Sequence, residues 1–254
     1  MDWFPFLDPN HLLLALGIAL LAGVVKGMVG FAMPMILVSG LGTFLPPEIA
    51  LAGLILPTVV TNGMQALRQG MSAAWVSVLR FRVFLCIGLL CLLASAQLVR
   101  LIAPSTFLLI LGVPVVVFAL IQLAGLRLRL SGAGRWVEAL FGAIAGFIGG
   151  LSGVWGPPTV MYLTALDTPK LEQIRVQGVI YGLGAVALFG AHVTSGVITA
   201  ETMPFSALLV VPAVVGTWIG SLFVDRIDQA TFRKATLAVL LIAGLNLVRR
   251  GLGL

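Results

Sequence analysis

The residue of this sequence with the clearest potential for chemistry is Lys26, a lone cation within an apolar segment. It lies about fifteen residues into that segment, ~23 Å from its start at about 1.5 Å per residue. No acidic residue lies nearby in the sequence. Keeping an ionisable group inside a membrane costs several kcal/mol, so Lys26 predicts a functional site. The alternative is that its side chain snorkels to the interface.

A motif rich in glycine and proline surrounds Lys26 and occurs again in the second half. Residues 26–34 read KGMVGFAMP, and residues 149–158 read GGLSGVWGPP. Glycine lets a backbone leave the helix, and proline suits the first turn of the next one. A helix that restarts at mid-membrane presents N–H groups that bind anions. We expect the N–H groups of Gly30–Met33 and Gly153–Gly156 to cradle an oxyanion, with Trp155 lining or gating the cavity. Close helix packing is the alternative.

A polar stripe runs along the otherwise apolar segment 47–68. At about 100° per residue its members fall within about 120° of one helix face, and they are Thr58, Thr61, Asn62, Gln65 and Arg68. Such a stripe faces a cavity or another helix rather than lipid. We expect Asn62 and Gln65 to provide hydrogen bonds to a substrate. Hydrogen bonding between helices, with Arg68 capping the cytoplasmic end, is the alternative.

A second cation with room around it is Arg175, which shares a helix face with Gly178 and Gly182. Lys26 would supply the charge of an anion site, assisted by Arg68 or Arg175. Anchoring at the cytoplasmic surface is the alternative for Arg175.

A rival constellation is the Gly-x-Ser-Gly pattern at residues 150–153, which resembles that of rhomboid intramembrane proteases. His192 lies forty residues after Ser152, and a Ser–His dyad suffices for nucleophilic catalysis. The pattern is weak in a chain with 30 glycines, and Val29 replaces Ser152 in the first copy of the motif. We therefore favour a protein that is not an enzyme.

The composition requires a membrane environment for these groups. Of 254 residues, 60% are hydrophobic and 9% charged, whereas a soluble domain has roughly 25% charged residues. The net charge of +6 is spread between apolar segments, which excludes a nucleic-acid-binding patch and fits the positive-inside rule. Cys86 and Cys91 are interpreted as small hydrophobic residues. We predict no cofactor and no metal site.

Hydrophobic segments follow one another along the whole chain, so we predict an all-α polytopic membrane protein with one transmembrane domain, 1–254. The segments are 11–30, 33–44, 47–68, 83–99, 105–125, 136–151, 156–166, 171–195, 204–224 and 233–249. Two of them, 33–44 and 156–166, are too short to span comfortably. Each begins with proline after glycines, which predicts half-helices or re-entrant segments.

The two halves repeat, with five segments each, in residues 11–125 and 136–250. Four residues in and just before the first motif recur at a constant offset of 123, namely Gly23, Gly27, Gly30 and Pro34. Further matches, such as Gly53 with Gly178, have an offset of 125. Five segments per half would place most Lys and Arg residues on one side and invert the second half, although Arg100, Arg249 and Arg250 then fall outside.

The motifs, in order, resemble those of the sulfite exporter (TauE/SafE) family. The resemblance rests on Lys26-Gly-x-x-Gly-Phe, on Asn62-x-x-Gln65-Ala-Leu-Arg68, and on the stretch from Gly149 to Pro158. It implies two homologous halves and a permease for sulfur-containing anions such as sulfite or sulfonates. Ala32 departs from the pattern, because glycine is frequent there. Tyr181-Gly-Leu-Gly184 replaces a bulkier apolar run, which suggests a larger cavity.

The sequence thus predicts a carrier that exports a small anion across a bacterial-type cytoplasmic membrane by alternating access. Its expected partners are that anion and membrane lipid, with no nucleic acid, and homo-oligomerisation is left open. An anion channel is the other transport alternative.

Overall fold

A computed structural model describes residues 8–96, 104–126, 130, 134–152, 155–194 and 199–253. All regular structure in these ranges is α-helical. The helices are α1 Pro9–Val29, α2 Met33–Leu41, α3 Pro47–Leu67, α4 Met71–Arg80, α5 Arg82–Ala96, α6 Pro104–Leu123, α7 Arg135–Ser152, α8 Gly156–Ala165, α9 Lys170–Thr194, α10 Met203–Arg226 and α11 Gln229–Gly251.

The helices have the lengths and surfaces of membrane spans. Within the described ranges α1, α3, α10 and α11 are long and apolar enough to cross a membrane, and α4 with α5, bent by 73°, makes a fifth span if counted as one. Large apolar side chains face outward: Leu13 is 71% and Ile242 67% exposed, whereas Lys26 is 1% exposed. Leucine outside and lysine inside is the arrangement expected in lipid. The prediction of an all-α polytopic membrane protein is confirmed.

Helix α4 has no counterpart among the predicted hydrophobic segments. Serines interrupt its apolar residues, so it is not a continuous apolar run. Its exposed large side chains, Met71, Trp75, Val76 and Leu79, are spaced as on one face of a helix. A search for runs long enough to span a membrane therefore misses it.

The predicted break after Lys26 is present in the structure. Helix α1 ends at Val29, Gly30 has φ 87°, and α2 begins at Met33 with proline in its first turn. In the second half α8 begins at Gly156, again with proline in its first turn. The two helices have 9 and 10 residues, which confirms the prediction of short helices at the glycine and proline motifs.

Ala32, which precedes α2, is held in the left-handed region with φ 77°. This conformation costs a residue with a Cβ about 1–2 kcal/mol. We expect Ala32→Gly to stabilise the protein by about 1 kcal/mol, measured as a higher midpoint of thermal unfolding in detergent. The matched control is Ala22→Gly, buried within α1, which should lower the midpoint. An unchanged or lower midpoint for Ala32→Gly would contradict the strain.

The chain forms two compact units, each built from two separate stretches. Unit 1 comprises Met1–Arg68 and Gly178–Ile227, and unit 2 comprises Gln69–Gln177 and Asp228–Leu254. In unit 1, α1 packs against α10 so closely that a Cβ on Gly27 would lie 2.9 Å from Cα of Gly220. In unit 2, α5 packs against α7, and α6 against α11.

Equivalent glycine contacts occur within the two units. A Cβ on Gly23 would overlap the carbonyl oxygen of Ala213 in unit 1, and a Cβ on Gly146 would overlap that of Gly88 in unit 2. Gly146 lies 123 positions after Gly23, and Ala213 lies 125 after Gly88. These are the offsets of the predicted repeat. The two homologous halves, their inverted orientation and their boundaries stay predictions.

Candidate functional site

The polar face of α3 begins directly after a proline within the helix. Because Pro57 has no N–H, the carbonyl of Gly53 lacks its usual helical donor. The hydroxyl of Ser206 on α10 takes that place, donating to Gly53 O at 3.4 Å and accepting from Leu56 N–H at 3.2 Å. This bridge satisfies α3 where it is interrupted, just before its polar stripe.

Lys26 is bonded to that stripe within unit 1. Its Nζ donates to Oδ1 of Asn62, and Nε2 of Gln65 donates to the carbonyl oxygen of Lys26 at 3.2 Å. Asn62 is 0% and Gln65 4% exposed. Among the described residues no carboxylate forms an ion pair with Lys26. A buried ammonium with only neutral partners keeps an uncompensated charge, which a bound anion would neutralise.

The break between α1 and α2 lies beside the same face of α3. The hydroxyl of Thr61 donates to the carbonyl of Pro57 at 2.6 Å and lies 3.5 Å from Sδ of the fully buried Met33. The α2 N-terminus has no side-chain cap, as an end that binds an anion requires. The structure thus brings Lys26 against Asn62 and Gln65, and Met33 against Thr61 of the same helix, with Gly30 ending α1.

Three polar atoms of this region lack a hydrogen-bond partner among the described residues. They are Oγ1 of Thr58, Nδ2 of Asn62 and Oε1 of Gln65, and all three side chains are buried. Each such atom costs about 1–3 kcal/mol if nothing binds it. A ligand is one way in which the cost is recovered.

Arg68, at the end of the stripe, is held by a carboxylate. Its Nη2 donates to both oxygens of Asp225 at 2.8 and 2.7 Å. Sequence reasoning missed Asp225, because the pair joins residues 157 positions apart. The guanidinium is therefore already neutralised, and a role for Arg68 in binding substrate stays a prediction.

The second motif belongs to unit 2, where Trp155 and Gly156 open α8. Trp155 is 8% exposed, and a Cβ on Gly149 would lie 2.8 Å from its ring. The hydroxyl of Thr159 donates to its carbonyl at 3.0 Å. The ring thus packs on α7. Gly153 lies outside the described residues, so the predicted oxyanion cradle there stays a prediction.

Arg175 is the other predicted cation, and it connects α9 with α4. Its Nε donates to Oγ of Ser77 at 2.8 Å and its Nη1 to Oε1 of Gln69. Neither partner was expected from the sequence: Ser77 lies on α4, which was not predicted, and Gln69 lies between α3 and α4. A substrate role for Arg175 stays a prediction.

The alternative Ser–His dyad cannot be placed, because the side chains of Ser152 and His192 lie outside the described residues. They belong to α7 and α9, respectively.

The profile of the family described as "Sulfite exporter TauE/SafE" matches residues 15–247, which is nearly the whole chain and includes both motifs. No curated protein and no solved structure matches the chain.

Proposed function

The chain belongs to the sulfite exporter TauE/SafE family, and we propose that it exports sulfite or a small organosulfonate by alternating access. The membrane we propose is a bacterial-type cytoplasmic membrane. The family is one of membrane transporters, and we propose that this chain is not an enzyme.

The observation that carries the proposal is the buried Lys26 with its neutral partners. An ammonium inside a span is costly, and its bond to Asn62 replaces only part of its hydration. A site that offers one positive charge and amide groups, beside an uncapped helix N-terminus, has the chemistry to bind a small oxyanion.

Export of an anion from a cell that is negative inside needs no coupled ion. The membrane potential supplies ~2.3 kcal/mol per charge per 100 mV. The sequence shows no carboxylate relay for protons, because Glu48 and Glu138 both lie near segment ends. In the structure, the carboxylate of Glu138 accepts a hydrogen bond from the backbone N–H of Phe84 at 3.0 Å. We propose uniport of the anion, driven by the potential.

Reconstitution in liposomes tests this function. Uptake of sulfite, sulfoacetate, taurine and thiosulfate would be measured under an imposed potential and an imposed pH gradient. Saturable uptake of a sulfur-containing anion that follows the potential supports the proposal. Flux that never saturates indicates an anion channel. Absence of flux for all four compounds would overturn the proposal. The next experiment would then be an assay of protease activity, which Ser152→Ala should abolish if the protein is a serine protease.

A further inference from the structure

The two amide side chains beside Lys26 each have one half bonded and one half free. Oδ1 of Asn62 accepts from Lys26, which leaves Nδ2 as a donor without a partner in the described part of the chain. Nε2 of Gln65 donates to the Lys26 carbonyl, which leaves Oε1 as an acceptor without a partner there. The site therefore offers a free donor and a free acceptor.

The bonded halves fix which atom is which. Turning the Gln65 amide over would set Oε1 against the carbonyl oxygen of Lys26, and turning Asn62 over would set Nδ2 against the ammonium. Both arrangements are repulsive, because an oxygen would meet an oxygen and a donor would meet a donor. The free acceptor of Gln65 is thus a property of the packing of α3 against α1.

A free acceptor is incompatible with a fully deprotonated oxyanion. The lone pairs of Oε1 would face oxygens that carry only lone pairs, and neither group could donate. An anion with one hydrogen on oxygen removes the conflict, since it accepts from Lys26 and Asn62 and donates to Gln65.

The charge of the site also favours a singly protonated anion over a fully deprotonated one. Lys26 contributes one positive charge, and Arg68 is already paired with Asp225. A singly charged anion would neutralise Lys26, whereas a dianion would leave one negative charge uncompensated in a medium of low dielectric constant.

We propose that the Lys26–Asn62–Gln65 site takes its substrate as a singly charged anion that carries a hydrogen-bond donor, such as hydrogen sulfite or a hydroxylated sulfonate. The inference rests on the proposed function and specifies the form of the anion that this site selects.

The pH dependence of sulfite transport tests the charge and the proton together. The pH is equal on both sides of the liposome membrane, and the total concentration of sulfite is held constant. Above the pKa at which hydrogen sulfite ionises to sulfite, the concentration of hydrogen sulfite then falls about tenfold per pH unit. We expect KM, expressed as total sulfite, to rise in the same proportion. A KM that stays constant while sulfite uptake remains saturable would overturn this inference and leave the proposed function intact.

Protein groups that titrate need a control. Helix α2 carries no charge. The titratable or charged groups on the other elements that pack on α3 are His11 and Lys26 on α1, Asp225 and Arg226 at the end of α10, and Lys170, Glu172, Arg175, Tyr181 and His192 on α9. Ethanesulfonate is an anion at every pH used, and it has no donor. The inhibition constant of ethanesulfonate against sulfite uptake should therefore not rise tenfold per pH unit. If it did, the pH dependence would come from titration of a protein group, and the inference would be overturned.

A pair of inhibitors isolates the donor at constant charge. We expect 2-hydroxyethanesulfonate to inhibit sulfite uptake about tenfold more strongly than ethanesulfonate, since one hydrogen bond to a buried acceptor contributes about 1.4 kcal/mol. Gln65→Met should remove this preference. Thr217→Val, which removes a buried hydroxyl bonded within α10, should keep it. Equal inhibition of the wild-type protein by both sulfonates would overturn the inference without requiring any variant to fold.

Discussion

Replacing Lys26 by methionine is expected to weaken substrate binding by about 30-fold to more than 1,000-fold. Removing the charged partner of a buried ionic hydrogen bond costs about 2–5 kcal/mol, and each ~1.4 kcal/mol is a factor of ten. Methionine keeps much of the length of the side chain and removes its charge and its donors. The measurement is KM for sulfite in proteoliposomes, with size-exclusion chromatography to show that the variant is folded.

Two further variants test whether binding requires a positive charge at residue 26 in particular. Lys26→Arg keeps a cation at the site and should retain part of the affinity. Lys234→Met makes the same substitution at an exposed lysine of α11, and should leave KM unchanged. If Lys26→Met transported sulfite with the wild-type KM, Lys26 would not be part of the binding site.

Gly23→Ala is expected to destabilise the protein by about 3 kcal/mol, the upper end of the usual cost of overpacking. The new methyl group would overlap the carbonyl oxygen of Ala213 and lie 2.9 Å from the backbone nitrogen of Thr217. Both neighbours are backbone atoms, so α1 and α10 must move apart. The measurement is the thermal unfolding midpoint in detergent, which should fall by about 6–12 °C.

Gly17 provides the matched control on the same helix, because a Cβ there meets nothing within 4 Å. Gly17→Ala should leave the midpoint unchanged or raise it slightly, as alanine favours the helix. Gly146→Ala, at the related position of the second half, should behave like Gly23→Ala. A midpoint for Gly23→Ala equal to that of Gly17→Ala would show that α1 and α10 are not in contact there.

Long apolar runs and the glycine and proline motifs were sufficient to predict most helices and the break after Lys26. A span needs a long apolar run, and a break needs residues that tolerate it, and both are local properties of the sequence. Helix α4 was missed because two serines interrupt its apolar residues, which therefore do not form a long run.

The candidate site could be predicted in part for the same reason. Lys26 and the stripe with Asn62 and Gln65 were visible as polar groups where lipid does not allow them. The hydrogen bonds that Lys26 forms with Asn62 and Gln65 could not be predicted, because they depend on how α1 packs against α3. The bond between Arg68 and Asp225 was likewise hidden, since nothing local relates the ends of α3 and α10.

The glycines of α1 likewise predict close helix packing without identifying the helix that packs there. Gly23 and Gly27 predict that another backbone approaches α1 closely, yet not which one. The partner is α10, from the second half, in a unit formed from two separate stretches of the chain.

Counterflow of radiolabelled sulfite, with wild-type protein and Lys26→Met measured side by side, tests the central claim most directly. Liposomes loaded with unlabelled sulfite should accumulate the label transiently and saturably when they contain the wild-type protein, and the variant should lose this accumulation. Equal counterflow in both would contradict the assignment of the site, and no counterflow with either would contradict a sulfite carrier.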